Sequence, residues 1–157
     1  MKRFAIITAC CALVFATTLA VGAWGKGKGG SKKTTGHSLT VIEHPDTDVT
    51  TDTGATGDSV GDVLTFANGV FDANDSAKVG TDNGYCIRTV AGEAYECNWT
   101  TFLAKGQITV EGPFYDAKDS TLAITGGTGR YRHVRGTMDL TSLEGGTKFQ
   151  FVFHLNS

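Results

Sequence analysis

The 157-residue sequence has little proline (2 residues) and little methionine (2), and no window carries the 3.6-residue apolar stripe of an amphipathic helix. The low proline count excludes a collagen, and the missing stripe a coiled coil. Charge of one sign is missing too. With 14 Lys and Arg against 16 Asp and Glu, the formal charge is −2, so no electrostatic footprint for nucleic acid is present. His37, His44, His133 and His154 are scattered without metal-ligand spacing, and no Ser-His-Asp set can be argued. The strict acidic loop that holds calcium is absent as well. No metal is expected.

Long apolar runs occur only at the start. Lys2-Arg3 is followed by apolar or small residues from Phe4 to Ala23, and Val21-Gly22-Ala23 offers the small residues at which a signal peptidase cuts. Residues 1–23 therefore read as a secretory signal, with no membrane association after cleavage and an extracellular destination. Without Lys2 and Arg3 the formal charge moves from −2 to −4. Residues 24–37, rich in Gly and Lys, read as a flexible basic arm, and 38–157 as one domain. Within that domain, residues 46–62 are dominated by Asp, Thr and Gly without periodicity, which predicts a long acidic loop or a poorly ordered connection.

Cleavage leaves two cysteines in an oxidising compartment, Cys86 and Cys97. A two-residue hairpin turn at Ala91-Gly92 puts Cys86 opposite Cys97 and Arg88 opposite Tyr95. The register predicts a cross-strand disulfide. Spacing excludes a CxxC redox site.

From Gly61 onward, apolar or β-branched runs alternate with Gly, Asn and Asp turns, which marks an antiparallel β protein. Strands are expected near 39–44, 62–71, 81–90, 93–104, 106–113, 120–126, 134–141 and 147–155. In the last, Phe149, Phe151, Phe153 and Leu155 alternate with Gln150, Val152 and His154. Eight consecutive strands predict an all-β fold, an eight-stranded antiparallel barrel of lipocalin-like shape able to hold one small ligand. A Greek-key sandwich is the alternative that composition leaves open. The glycine cluster Gly126-Gly127-Thr128-Gly129 invites a dinucleotide-binding reading, but its third fingerprint glycine falls at Arg132 and no helical pattern follows to receive a pyrophosphate. No nicotinamide or flavin cofactor is expected.

Four ordered motifs resemble the allene oxide cyclase family. They are Gly61-Asp62-Val63-Leu64-Thr65-Phe66-Ala67-Asn68, Val79-Gly80-Thr81-Asp82-Asn83-Gly84-Tyr85-Cys86, Gly106-Gln107-Ile108-Thr109-Val110-Glu111-Gly112-Pro113-Phe114 and Leu122-Ala123-Ile124-Thr125-Gly126-Gly127-Thr128-Gly129. The last, extended through Arg135-Gly136, is also similar to plant dirigent proteins. The resemblance covers roughly residues 38–155. It implies an eight-stranded barrel, usually a homotrimer, with an apolar cavity open at one end. It also implies a cofactor-free isomerase or cyclase that steers ring closure or coupling of a small hydrophobic or phenolic molecule. Holding a floppy substrate in one conformation is an effect of proximity and orientation.

Residue by residue, the family's Phe-x-Asn is matched by Phe66 and Asn68, and its cavity cysteine by Cys86. The position of its glutamate is Val41 here, and that of its Gly-Pro-Tyr tyrosine is Phe114, with Tyr115 adjacent but facing the other way. Val41, Phe66 and Phe114 are thus expected at the cavity. Glu43 shares a strand face with Val41. Beside His44 and Pro45 it reads as an exposed strand-end residue, but turned inward it would have a raised pKa and serve as an acid or base. Glu43, Asn68 and Arg135 are the candidate catalytic residues, Arg135 as an anion-binding group near the mouth. The other readings are a small-molecule carrier and a structural surface protein with a filled barrel.

Overall fold

The computed structural model describes residues 36–156. The expected signal, residues 1–23, and the arm up to residue 35 lie outside them. The described chain forms nine strands: β1 (His37–His44), β2 (Val49–Thr51), β3 (Val63–Phe71), β4 (Lys78–Val90), β5 (Ala94–Leu103), β6 (Gly106–Tyr115), β7 (Ser120–Gly127), β8 (Arg135–Leu143) and β9 (Lys148–Asn156). One 3-10 turn, Gly129–Tyr131, joins β7 to β8. Each strand is hydrogen-bonded to its sequence neighbour from β3 to β9, and β1 pairs with both β9 and β3. That double pairing closes an eight-stranded antiparallel barrel, with β2 added on the outside of the circuit. Among the described residues, no helix is long and apolar enough to cross a membrane.

All eight expected strands meet observed ones within about three residues at each end, the first beginning two residues earlier, at His37. The unforeseen strand is β2, where Val49, Thr50 and Thr51 pair with Thr65, Leu64 and Val63. Three residues are too few to show a period. The rest of the acidic segment is ordered by its own carboxylates rather than left loose. Asp62, 1 % exposed, accepts from Thr53 N, Ser59 N and Ser59 Oγ at 3.0, 2.7 and 3.1 Å. Asp58 pairs with Arg88 Nε at 2.7 Å. Arg88 also donates from Nη1 to both oxygens of Asp116 at 2.8 Å and lies 3.6 Å over the Tyr95 ring. One guanidinium thus ties the acidic segment and the β6–β7 turn to the barrel rim.

The β4–β5 hairpin keeps the expected register, with Cys86 opposite Cys97 and Arg88 opposite Tyr95. Its turn is one residue longer than the two-residue expectation. Val90 pairs with Ala94 after a bulge, so residues 91–93 make the turn, with Gly92 at φ +68°. The extra residue is absorbed in the bulge and leaves the cysteines in register. They are bonded, and a loop of this size stabilises the fold by roughly 2–3 kcal/mol.

Strand alternation turns Val41, Val70, Ile108, Val110, Leu122, Ile124, Met138, Leu140, Phe151 and Phe153 into one buried cluster, which Val134 joins from just before β8. Phe153, Val70, Ile108, Val110 and Met138 are fully enclosed. They plug the barrel towards the end where β1 begins and leave it open where β1 finishes.

Candidate functional site

A cavity of about 320 Å³ opens at the end of the barrel where β1 and β8 finish. Its walls are Phe66 and Leu64 from β3, Trp99 from β5, Phe114 from β6, Leu140 from β8, and Phe149 and Phe151 from β9, with both disulfide cysteines. The aromatic rings meet at angles rather than in stacks. Phe66 lies edge-on to Trp99 at 6.0 Å and Phe114 edge-on to Phe149 at 5.7 Å, and Trp99 is tilted on Phe151 at 5.5 Å. Trp99 lies across the inner wall because its partner on β4 is Gly84. A Cβ there would stand 2.2 Å from the Trp99 Cβ.

Against this apolar wall stands one buried carboxyl, with the exposed Asp48 at the rim. Glu43, on the cavity lining yet only 5 % exposed, accepts a hydrogen bond from Asn68 Nδ2 at 2.8 Å. The same nitrogen donates to Asp48 Oδ1 at 2.7 Å, and Asn68 Oδ1 accepts from Thr47 N and Oγ1 at 3.0 and 2.9 Å. Asn68 therefore fixes Glu43 from behind while pinning the segment after β1 over the rim. It does not itself line the cavity.

Behind Glu43 and Asn68 lies a second buried acid. Asp82 pairs with Asn68 across β3–β4 and with Thr101 across β4–β5, and it is completely enclosed. No protein group donates a hydrogen bond of good geometry to either Asp82 oxygen, and Thr101 Oγ1 and Trp99 Nε1 are likewise buried without a partner. Burial pushes Asp82 up to about 7, against the pull of the Asn68 backbone N–H. Glu43 is raised well above the ordinary carboxylate range, first by burial and then by the neighbouring Asp82, with the Asn68 hydrogen bond only partly offsetting them. Among the described residues no cation is ion-paired with either acid, and no group of acids, histidines and cysteines has the arrangement of a metal site.

The structure brings Glu43, Asn68, Phe66, Phe114 and the Cys86–Cys97 bridge together at one end. It corrects the expectation that Glu43 is an exposed strand-end residue. Glu43 pairs with Phe149 on one side and Val70 on the other, so its side chain follows Val41 inward. Val41 is buried in the packed cluster and is not part of the cavity wall. Arg135 is not at the mouth. It begins β8 opposite Asn156, at the far end of the barrel, where it is exposed and donates from Nη1 to the Val134 carbonyl at 2.7 Å. Tyr115 faces outward beneath Lys118, which lies 4.0 Å from its ring.

Asp82 and Trp99 were not singled out from sequence, although a signal for both was present. Counting back by twos from the inward Cys86 reaches Asp82, and counting on by twos from Cys97 reaches Trp99. A larger hollow of about 550 Å³ lies at the far end, lined by Lys105, Arg130, Tyr131, Arg132 and Val134 among others. Its cations are exposed and it contains no buried acid or base, so the smaller cavity is the candidate site.

A family model described as Allene oxide cyclase matches residues 42–157. Among solved structures, a pyocyanin demethylase superposes with a TM-score of 0.69 at 26 % identity, covering 76 % of this chain and 100 % of that one. A pterocarpan synthase dirigent protein gives 0.64 at 18 % identity, covering 77 % and 94 %. An exo-specific intermolecular Diels-Alderase gives 0.63 at 16 %, covering 78 % and 98 %. At the last two identities the likeness establishes the shared barrel.

Proposed function

The chain belongs to the allene oxide cyclase family, and from that premise we propose that its barrel binds one small hydrophobic or phenolic molecule and steers its cyclisation or coupling. The observation that carries this reading is the pairing of an aromatic cavity with a single buried carboxyl on its wall. Aromatic faces set at fixed angles hold a flat or folded ligand in one conformation, and positioning of that kind accelerates one ring closure over its competitors. Glu43, enclosed and with its pKa raised by burial well above the ordinary carboxylate range, supplies a hydrogen bond or a proton to the polar atom of the bound molecule. An all-apolar cavity would have favoured carriage, and a filled barrel a structural role. Other proteins of this fold bear names that describe control of ring formation, the dirigent pterocarpan synthase and the Diels-Alderase among them.

The same reading has the protein exported by residues 1–23, with a mature start at Trp24 and assembly as a homotrimer. A disulfide suits an oxidising compartment. Intact mass and light scattering of secreted material check these points.

The test of function is chiral. An allene oxide and an oxidised coniferyl alcohol are each allowed to react with and without the protein, and the products are resolved by enantiomer. One enantiomer in excess from either class, reduced in Glu43→Gln, is the expected result. Racemic product from both classes would move the reading to carriage.

A further inference from the structure

Two buried acids with no cation between them need an account that stability does not supply. Ionising both inside a barrel of this size costs several kcal/mol. Among the described residues Asp82 has no partner for either oxygen, and it faces Asn68 across β3–β4, the residue whose Nδ2 holds Glu43 at 2.8 Å, so the two buried acids flank one side chain. Two neighbouring buried carboxyls with no cation beside them do not both ionise, so one of them keeps a proton. We propose that Glu43 and Asp82 hold one proton between them, Glu43 meeting the ligand at the cavity wall and Asp82 behind it as its positioning partner, so that the cavity exchanges a proton with a bound aromatic molecule. This rests on the reading of the cavity as a ligand site and adds to it a chemical step and the residue that tunes it.

The surroundings of the pair fit that role. From β3 comes the neutral Asn68, from β9 the apolar Phe149, from β5 the uncharged Thr101, and from the segment after β1 the acid Asp48, held by the same Asn68 nitrogen. Each of these four neighbours is neutral or acidic. The arrangement resembles other carboxyl pairs in which like charge keeps one group protonated, and both titrate as a unit. It also limits the ligand. A free carboxylate would meet Glu43 and Asp48 at the rim, whereas a neutral or cationic ring would meet aromatic faces and acids.

The experiment needs no knowledge of the natural substrate. 5-Nitrobenzisoxazole is a planar aromatic small enough for a cavity of about 320 Å³. Its ring opening needs only a base. The carboxylate takes the proton from the C3–H bond, that electron pair completes the nitrile, and the N–O bond breaks to release a cyanophenolate. Binding is measured by calorimetry and turnover by phenolate absorbance, each across pH 4 to 9. We expect binding, and a rate that rises with pH through a midpoint above the ordinary carboxylate range. Glu43→Gln should abolish this rate, and Asp82→Asn should move the midpoint towards acid. Each whole pH step in that movement multiplies the rate below the midpoint about ten-fold.

Binding without turnover, turnover untouched by Glu43→Gln, or a midpoint unmoved in Asp82→Asn would each overturn the proton pair while leaving the ligand site standing. Absence of binding would instead overturn the ligand site. The pair is then judged by carboxyl ¹³C titration of the unaltered protein, where mutual displacement of the Glu43 and Asp82 curves is expected. Two independent curves in the ordinary range would overturn it.

Discussion

The two halves of the barrel are made by the same strands and the same alternation, yet they differ in what the inward positions carry. Along β9, Phe153 and Phe151 are enclosed while Phe149 is half-exposed. Along β1, Val41 is core and Glu43, two residues on, is a buried acid at the cavity. Towards the start of β1 the inward residues are apolar, and they fill the barrel by meeting across it. Towards its mouth the rings of Phe66, Phe114, Phe149 and Trp99 stand around a space, and the polar layer of Glu43, Asn68, Asp82 and Thr101 interrupts the packing at its edge. One half of the molecule keeps the barrel folded, and the other half uses the geometry so obtained.

The sharpest way to break this comparison is to remove a ring from each half. Phe153→Ala deletes a side chain with no exposed surface and should cost about 3–5 kcal/mol, read as a fall in melting temperature or denaturant midpoint. Phe149→Ala, at the half-exposed wall, should cost less than about 1.5 kcal/mol while weakening binding of an aromatic probe. Equal losses of stability at the two positions would erase the distinction between floor and mouth.

The polar layer gives a second contrast, through pH. Asp82 holds its proton more tightly in the folded chain, at about 7, than its ordinary value of 3.8. Its contribution to stability is therefore fully present below that ordinary value and is lost as pH rises through 4 to 7. The loss amounts to about 4 kcal/mol. Asp82→Asn should flatten this decline and leave the variant more stable than the parent at pH 8. The carboxylates Asp62, Asp72, Asp75 and Asp139 act in the opposite sense. Each is lowered by hydrogen bonds, so their contribution is lost as pH falls below the ordinary carboxylate range. Chemical denaturation at pH 4, 6 and 8 reads both limbs.

Much of the fold was legible because its rules are local. Period-two alternation in residues 149–155 located β9 and its inward face, and a turn near Gly92 placed Cys86 against Cys97. The site was harder to read, because inward direction is set by parity counted from a known residue while polarity argues the other way. Glu43 beside His44 and Pro45 has the composition of an exposed end. Asp82 sits in Thr81-Asp82-Asn83-Gly84, which resembles a turn, and only its place two steps from Gly84 and four from Cys86 reveals that it faces the interior. Arg135 illustrates the converse. Its glycine-turn neighbourhood is correct, but antiparallel order puts the start of β8 at the end of the barrel remote from the mouth. Asn68, a candidate catalytic residue by resemblance, is a support for Glu43, Asp48 and Thr47, so Asn68→Ala should destabilise the rim as well as alter chemistry.

The claim that one half packs and the other binds is tested most directly by a methyl-labelled NMR titration with coniferyl alcohol. Shifts at Leu64 and Leu140, which line the cavity, with Ile108, Ile124, Val134 and Met138 unmoved, are the predicted result. Shifts spread evenly over both groups, or none at any concentration up to the solubility limit, would contradict it.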